Sequence, residues 1–174
     1  MIIAAFDVHY SEDGRAAAAA VLFSNYSDTE PAAVYTNRLP GAAAYIPGEF
    51  YRRELPCILA LIQQINEALD EMIVDGYVML GDKPGLGQYL YESFDGTIPV
   101  IGVAKSKFRG SADAEVLRGE SIHPLYVTSA GADLQEAAEK IRTMHGPYRI
   151  PTLLKRVDLL AREKAQQNWP DIVR

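Results

Sequence analysis

The sequence has few of the residues that mark disulfide-stabilised, zinc-binding or membrane proteins. Its 174 residues include one cysteine, Cys57, and three histidines. One cysteine forms no internal disulfide and supplies no thiolate metal cluster, so nothing indicates an oxidising compartment. No apolar run approaches the ~18 residues of a membrane span, and the apolar start lacks a basic segment and meets Asp7 too early for a signal peptide. We therefore expect a cytoplasmic protein without a membrane segment.

Positive charge is also scarce. Lysine and arginine number 17 against 23 acidic residues, which gives a formal net charge of −6 and no overall attraction to nucleic acid or to an anionic membrane. A polyanionic substrate would therefore need local cations or metal ions held by carboxylates. The cations cluster at three places, which are Arg52 and Arg53, Lys105 with Lys107 and Arg109, and Lys155 with Arg156.

The length and the 48% hydrophobic content are typical of one globular domain, here residues 1–174. Alternating apolar residues predict an antiparallel meander of strands at 2–10, 15–23 and 31–37, even though an alanine run in the second strand favours helix. Apolar residues at helical spacing from Leu55 to Leu69 predict a long helix.

The rest of the chain alternates strands and helices. We expect a strand at 72–74, a helix at 86–94, a strand at 99–104, a short strand or hairpin between 115 and 128, and helices at 133–144 and from 151 to about 167. Strands joined through helices run parallel. The sequence therefore predicts an α/β fold with a mixed sheet, three antiparallel strands and then parallel strands, flanked by helices.

Four acidic residues lie where the pattern predicts buried faces. Asp7 shares a strand face with Ile3 and Ala5, and Asp75 ends the fourth strand, where ligands of open α/β sheets bind. Glu54 extends the apolar stripe of its helix, and Asp158 lies on the inward stripe of the last helix. Four carboxylates at one apolar site repel one another unless cations or protons neutralise them.

Divalent cations suit such a group of acids. Oxygen ligands with no cysteine favour Mg²⁺, or Mn²⁺ as an alternative, and two such ions can stabilise both the attacking and the leaving oxygen of a phosphodiester. This pattern by itself leaves two interpretations open, a metal-dependent phosphoryl hydrolase and an α/β binding domain. His9, His123 and His145 have no Gly-x-Ser-x-Gly partner, so we expect ordinary surface or core histidines.

At these residues the sequence resembles the endonuclease V family, metal-dependent nucleases of the ribonuclease-H-like fold that act on deaminated purines. The match runs nearly end to end. Residues 5–10 resemble the first-strand Asp-Val-x-Tyr signature, 45–54 the Tyr-x-Pro-Gly…Arg-Glu segment, 74–76 the next acidic motif, 99–105 the Pro-Thr-Ile-Gly-Val-Ala-Lys strand, and 148–158 the Arg-x-Pro…Arg-x-Ala-Asp ending.

The resemblance implies roles for these residues. Asp7, Glu54, Asp75 and Asp158 would hold Mg²⁺ or Mn²⁺ and, with Lys105 at the scissile phosphate, form the catalytic set. Arg53 would steady the phosphate or the Glu54 carboxylate, and Gly76 would contact the substrate. The segment Tyr45, Ile46, Pro47 and Gly48 would be the wedge that enters at the lesion while the base turns out of the stack.

The implied function is hydrolysis of a phosphodiester near deoxyinosine or inosine in DNA, and in RNA as well, with a 5′-phosphate product. A monomer is favoured, although the sequence does not decide the oligomeric state. Where the family carries a further glycine and then His-Pro, this chain has Tyr77-Val78 and Gly81-Asp82, and Ala130-Gly131-Ala132 stands for a Pro-Gly-His. Two alternatives remain open: a metal-dependent nuclease without lesion specificity, and a nucleic-acid-binding module that has lost turnover.

Overall fold

The computed structural model describes residues 1–39, 46–47, 49 and 51–168. Within these residues the elements follow in the order β1 (Ile3–Tyr10), β2 (Ala16–Phe23), β3 (Ala33–Leu39), α1 (Tyr51–Ile62), β4 (Glu71–Asp75), β5 (Met79–Leu80), β6 (Lys83–Pro84), α2 (Leu86–Glu92), β7 (Val100–Ala104), β8 (Ala114–Val116), β9 (Leu125–Ala130), α3 (Leu134–Arg142) and α4 (Thr152–Gln166).

Seven of the strands form one mixed sheet in the order β3-β2-β1-β4-β7-β9-β8. The first three strands pair antiparallel, β1 pairs with β4 and β4 with β7 in parallel, and β9 pairs antiparallel with both β7 and β8. The predicted mixed α/β sheet is thus confirmed. The two short strands β5 and β6, which the sequence did not reveal, form a separate small hairpin.

The alanine-rich strand β2 shows how tertiary packing overrides helix propensity. It lies between β1 and β3, and every one of its residues is buried. Ala19, Val21 and Phe23 join the core on one face of the sheet, and Ala18 and Leu22 join the core on the other. Small side chains let helices on both faces approach the strand closely, so the position in the sheet decides the conformation.

Helices cover both faces of the sheet. Residues of α3 and α4 pack with alternate residues of β1, β2, β4 and β7 in one core, while α1 and α2 pack with the intervening residues in the other. Asp7 lies on the α4 side of β1, because Ile3 and Ala5 of the same strand face belong to that core. No helix in the described part of the chain has the length and apolarity needed to cross a membrane.

The prediction of a helix reaching Leu69 was wrong. The helix α1 ends at Ile62, where the backbone N–H of Gln64 and Ile65 donate to the carbonyls of Leu61 and Ile62 in a tightened last turn. Ile65 and Leu69 nevertheless pack against the same core as α1. Apolar residues that follow a helix into an irregular segment can keep a helical spacing by chance, so periodicity alone overestimated the length.

Candidate active site

Two neighbouring parallel strands bring the first two acidic residues together. Phe6 of β1 lies opposite Val74 of β4, so Asp7 and Asp75 are the next residues along each strand and lie on the same face. Helix α4 crosses this face and supplies Asp158, which is 9% exposed. Glu54 comes from the first turn of α1. The four predicted acids therefore converge from four elements on one region of the sheet.

His9 joins this cluster, which the sequence did not predict. Ligand atoms of Asp7, His9 and Asp158 all lie within 4.8 Å of one another. The His9 Nε2 atom is 3.1 Å from Asp158 Oδ1 and 4.0 Å from Asp7 Oδ2. The expectation of an isolated histidine was therefore wrong. The available signal was the period of two along β1, since residues 7 and 9 share one face.

Burial and mutual repulsion dominate the electrostatics of Asp7 and Glu54. Burial and, next, the charge of Asp75 raise the pKa of Asp7 to about 7. Burial, followed by the charges of Asp7 and Asp75, raises the pKa of Glu54 to about 8. Without further positive charge, Glu54 is therefore mostly protonated near neutral pH, and Asp7 is divided between its protonated and ionised forms.

Asp158 behaves in the opposite way. Burial by itself would raise the pKa of Asp158, but hydrogen bonds from His9 and Arg162 outweigh burial and hold this pKa below its ordinary value. The Arg162 Nη2 atom donates to Asp158 Oδ1 over 3.2 Å, and Lys155 Nζ lies 3.6 Å from Oδ2. Asp158 is thus an ionised carboxylate beside an Asp7 that tends to hold a proton.

Lys105, the residue predicted to contact the scissile phosphate, lies beside the acids and lines the same cavity as Asp75. It follows directly after β7, and its Nζ atom donates to Asp75 Oδ2 over 2.9 Å. Burial alone would lower the pKa of Lys105, but the charge and the hydrogen bond of Asp75 outweigh it and raise the pKa. The two side chains are 47% and 42% exposed, so an incoming phosphate can reach this ammonium group.

The segment after Asp75 depends on two residues that the sequence analysis did not single out. A Cβ atom at Gly102 would lie 2.5 Å from the Gly76 carbonyl oxygen, so only glycine lets β7 approach this backbone. The Thr128 hydroxyl accepts a hydrogen bond from Val78 N over 2.9 Å. Gly76 itself has φ +136°, a conformation that side chains disfavour. The backbone beside the acids is thus held rigidly.

The structure describes only some of the other residues that were predicted to contact the substrate. The Arg53 guanidinium stacks over the Tyr10 ring, 3.9 Å from its centroid. Ile46 and Pro47 are exposed, as a wedge requires, whereas Tyr45 and Gly48 lie outside the described residues. The wedge role of this segment stays a prediction.

A small cavity opens between the acids and the start of α4. It has a volume of about 60 Å³ and is lined by Asp7, Asp75, Lys105 and Asp158 on one side and by Ile150 and Pro151 on the other. A water molecule needs roughly 10–15 Å³ of such space, so the cavity can hold a few waters or a partly hydrated ion. The carboxylate oxygens suit Mg²⁺ or Mn²⁺, and the raised pKa values of Asp7 and Glu54 indicate negative charge that protein cations leave uncompensated.

Comparison with known proteins identifies the family. A model of the family described as Endonuclease V matches residues 1–140 of the chain. The chain belongs to the endonuclease V family. The matched residues include Asp7, Glu54, Asp75 and Lys105, whereas Asp158 lies beyond them.

Curated members of the endonuclease V family resemble the chain to different extents. Endonuclease V of Xylella fastidiosa is 30% identical over 109 residues, which cover 63% of this chain and 45% of that protein. The chain thus aligns with less than half the length of that relative. Endonuclease V of Nostoc punctiforme is 25% identical over 184 residues, which cover 93% of this chain and 82% of the relative.

Solved structures share the fold. Endonuclease V from Streptomyces avermitilis superposes with a TM-score of 0.76 at 25% identity, covering 94% of this chain and 80% of that one. Endonuclease V from Ciona intestinalis, crystallised with a 24mer DNA containing an inosine followed by a ribo-adenosine, has a TM-score of 0.78 at 18% identity, covering 93% and 84%. A. aeolicus Argonaute, at 11% identity, has a TM-score of 0.59 over 97% of this chain and 29% of its own. The sheet is therefore of the ribonuclease-H-like type.

Proposed function

We propose that this member of the endonuclease V family is a divalent-metal-dependent endonuclease that hydrolyses a phosphodiester near a deaminated base, deoxyinosine in DNA or inosine in RNA. The observation that carries the proposal is that Asp7, Asp75 and Asp158 line one cavity together with Lys105. Glu54 does not line this cavity, but it lies close enough for the charges of Asp7 and Asp75 to raise its pKa. The DNA bound to the Ciona intestinalis relative contains an inosine, which supports this class of substrate.

The four carboxylates hold the metal in this proposal, but they differ in how readily they ionise. Asp7, Glu54, Asp75 and Asp158 would hold Mg²⁺ or Mn²⁺, which on binding polarises a phosphodiester oxygen and lowers the pKa of a water molecule. Asp158 is kept ionised by His9 and Arg162, so it is ready to accept a cation. Asp7 and Glu54 must lose their protons when positive charge arrives, because burial and repulsion favour their protonated forms.

The cations of the chain act on the substrate. Lys105 exchanges the Asp75 carboxylate for a non-bridging phosphate oxygen and stabilises the charge that develops there during hydrolysis. Arg53, stacked on Tyr10, holds a neighbouring phosphate or the Glu54 carboxylate. Gly76 lets a nucleotide approach the backbone because it has no side chain. The wedge from Tyr45 to Gly48 would fill the gap that the displaced base leaves.

The test is cleavage of end-labelled DNA carrying one deoxyinosine, compared with unmodified DNA and with RNA containing inosine. Each substrate is incubated with Mg²⁺, Mn²⁺ or EDTA. We expect metal-dependent nicking beside the deaminated base only. The Asp75→Asn variant should not cleave, while Asp82→Asn, which changes an exposed acid on the neighbouring hairpin, should cleave like the unaltered chain.

The other outcomes identify the alternatives. Nicking of all substrates would indicate a nuclease without lesion specificity. Binding that persists in EDTA with no cleavage under either metal would indicate a nucleic-acid-binding module. Cleavage by Asp75→Asn at the unaltered rate would contradict the assignment of the metal ligands.

A further inference from the structure

A second, open groove adjoins the acidic cavity along the outer face of α4. This α4 groove is lined by Pro31, Tyr148, Ile150, Lys155, Arg156 and Leu159, among others. Ile150 and Lys155 also line the acidic cavity, so the groove lies directly beside it. A strand whose phosphate reaches Lys105 at the mouth of the cavity can therefore extend along the groove.

The groove is positively charged within an acidic protein. Arg149, Lys155 and Arg156 line it, and Glu30 is the single acid among the described residues of the lining. The whole chain carries a formal charge of −6. The Arg156 side chain is exposed and makes no hydrogen bond or salt bridge with any residue that the structure describes. The local charge therefore complements phosphate groups and opposes the charge of the rest of the molecule.

An exposed aromatic ring lies in the same groove. Tyr148 is 76% exposed, which is unusual for so large an apolar surface, and Leu159 in the groove is 39% exposed. Proteins that bind single-stranded nucleic acids commonly combine exposed aromatic rings with cations. The bases stack on the rings, and the phosphates contact the cations.

The backbone that carries Tyr148 is fixed. The buried Arg118 donates from Nη1 to the Tyr148 carbonyl over 2.7 Å, and from Nη2 to the Met144 carbonyl over 2.5 Å. The next residue, Arg149, donates from Nη2 to the carbonyls of Lys105 and Pro124 over 2.5 and 2.8 Å. The ring thus stands on a backbone tied to the strand end that carries Lys105, so docking a base requires little ordering of the protein.

We infer that the α4 groove binds the nucleic-acid strand that flanks the cleaved phosphodiester, with one unpaired base stacked on Tyr148 and a phosphate contacting Arg156. The inference rests on the proposed function, because the strand in the groove is the one whose phosphodiester is cleaved at the acidic cavity. The base must be unpaired or at a strand end, since a base inside a duplex already stacks on both faces.

Binding is measured in EDTA so that cleavage does not interfere. The probe is a short single-stranded oligodeoxynucleotide with one deoxyinosine and with 2-aminopurine at positions on either side of it. Fluorescence anisotropy gives the Kd, and quenching of 2-aminopurine reports stacking on an aromatic ring. We expect Tyr148→Leu to weaken binding about 5- to 100-fold and to abolish the quenching at one position, while Tyr148→Phe retains both.

Arg156 is tested through the salt dependence of binding. Removal of one phosphate contact on a single strand should reduce the slope of log K against log salt by about 0.7. We expect this for Arg156→Ala. The matched control Arg142→Ala removes an exposed arginine on α3, which pairs with Glu139, and should leave the slope unchanged.

Two results would overturn the inference: an affinity of Tyr148→Leu within about twofold of the unaltered chain with unchanged quenching, or no binding of the probe by the unaltered chain. Circular dichroism checks that the variants fold. The proposed function and the groove can be rejected independently of each other. Absence of nicking with Tyr148-dependent binding would contradict the nuclease and keep the groove, whereas nicking beside deoxyinosine with Tyr148-independent binding would keep the nuclease and reject the groove.

Discussion

Asp7 shows how one buried carboxyl group can be costly for stability and necessary for function. It is buried beside Asp75 and Asp158, and burial and the charge of Asp75 raise its pKa to about 7, so the fold makes its ionisation costlier than in the unfolded chain. Asn has nearly the same shape and no charge. We therefore expect Asp7→Asn to raise the free energy of unfolding in EDTA at pH 8 and to abolish cleavage. Urea denaturation and the nicking assay measure the two effects.

The opposite effect on stability would have one identifiable cause. A loss of stability in Asp7→Asn would mean that the hydrogen bond from Val8 N to Asp7 Oδ1, 2.9 Å long, outweighs the repulsion. The substitution Asp82→Asn controls for the loss of one charge at an exposed acid outside the cluster.

The raised pKa of Glu54 predicts that the stability of the folded chain depends on pH. This pKa is about 8 in the folded chain and 4.5 without the fold, so between these values the unfolded chain has lost the proton and the folded chain keeps it. The free energy of unfolding in EDTA should therefore decrease as the pH rises from about 4 to about 8, and level off above. Glu54→Gln removes this contribution.

The measurable quantity is the difference between Glu54→Gln and the unaltered chain. This difference in unfolding free energy should grow in favour of the variant as the pH rises, to a few kcal/mol at most, since one pKa unit corresponds to about 1.4 kcal/mol. Urea denaturation at several pH values gives it. A difference that stays constant with pH would contradict the assigned environment of Glu54.

At the scale of elements, Arg118 connects the end of α3 to the start of α4. It is 5% exposed and donates to the backbone carbonyls of the 142–149 segment, those of Arg142, Met144, Gly146, Tyr148 and Arg149. Burial lowers its pKa, and no acid among the residues that the structure describes forms a salt bridge with it. Within the described residues, the Arg118 side chain thus supplies hydrogen-bond donors to the backbone carbonyls of a loop that has little secondary structure of its own.

Arg118→Met should therefore destabilise the chain by about 2–4 kcal/mol, because buried carbonyls lose a charged donor. Urea denaturation measures the loss, and hydrogen exchange should show faster exchange between residues 142 and 152. Arg118→Lys keeps the charge but reaches fewer carbonyls, so its loss should be smaller. The exposed Arg142→Ala should change stability by less than about 1 kcal/mol. Equal exchange in Arg118→Met and the unaltered chain would contradict this role.

The sequence predicted most elements because each carries its own local signal. The alternation along β1 and the spacing along α4 place Asp7 and Asp158 on inward faces without any knowledge of contacts. The end of α1 was mispredicted because Ile65 and Leu69 are buried for tertiary reasons. The sequence does not predict the short hairpin of β5 and β6, because strands of two residues show no periodicity.

At the scale of the whole molecule, a divalent cation should act as a stabilising ligand. A ligand at 100 times its Kd stabilises the folded state by about 2.7 kcal/mol, and for a chain of this size 1 kcal/mol raises the Tm by about 2–4 °C. We expect Mg²⁺ or Mn²⁺ to raise the Tm by about 5–10 °C relative to EDTA, as measured by calorimetry. Asp7→Asn should show little of this increase. The same increase in both proteins would place the cation elsewhere.

The sequence by itself determined most of the elements and the inward faces that carry the four acids, since residue spacing along a strand or helix fixes which side chains share a face. Only the tertiary structure decided that His9 lies 3.1 Å from Asp158, that Arg118 holds the loop before α4, and that the pKa of Asp7 is raised while that of Asp158 is lowered. These features depend on how far apart packed elements lie and on how much water remains between them. Distances between elements and local burial arise from contacts across the whole chain, which no local spacing encodes.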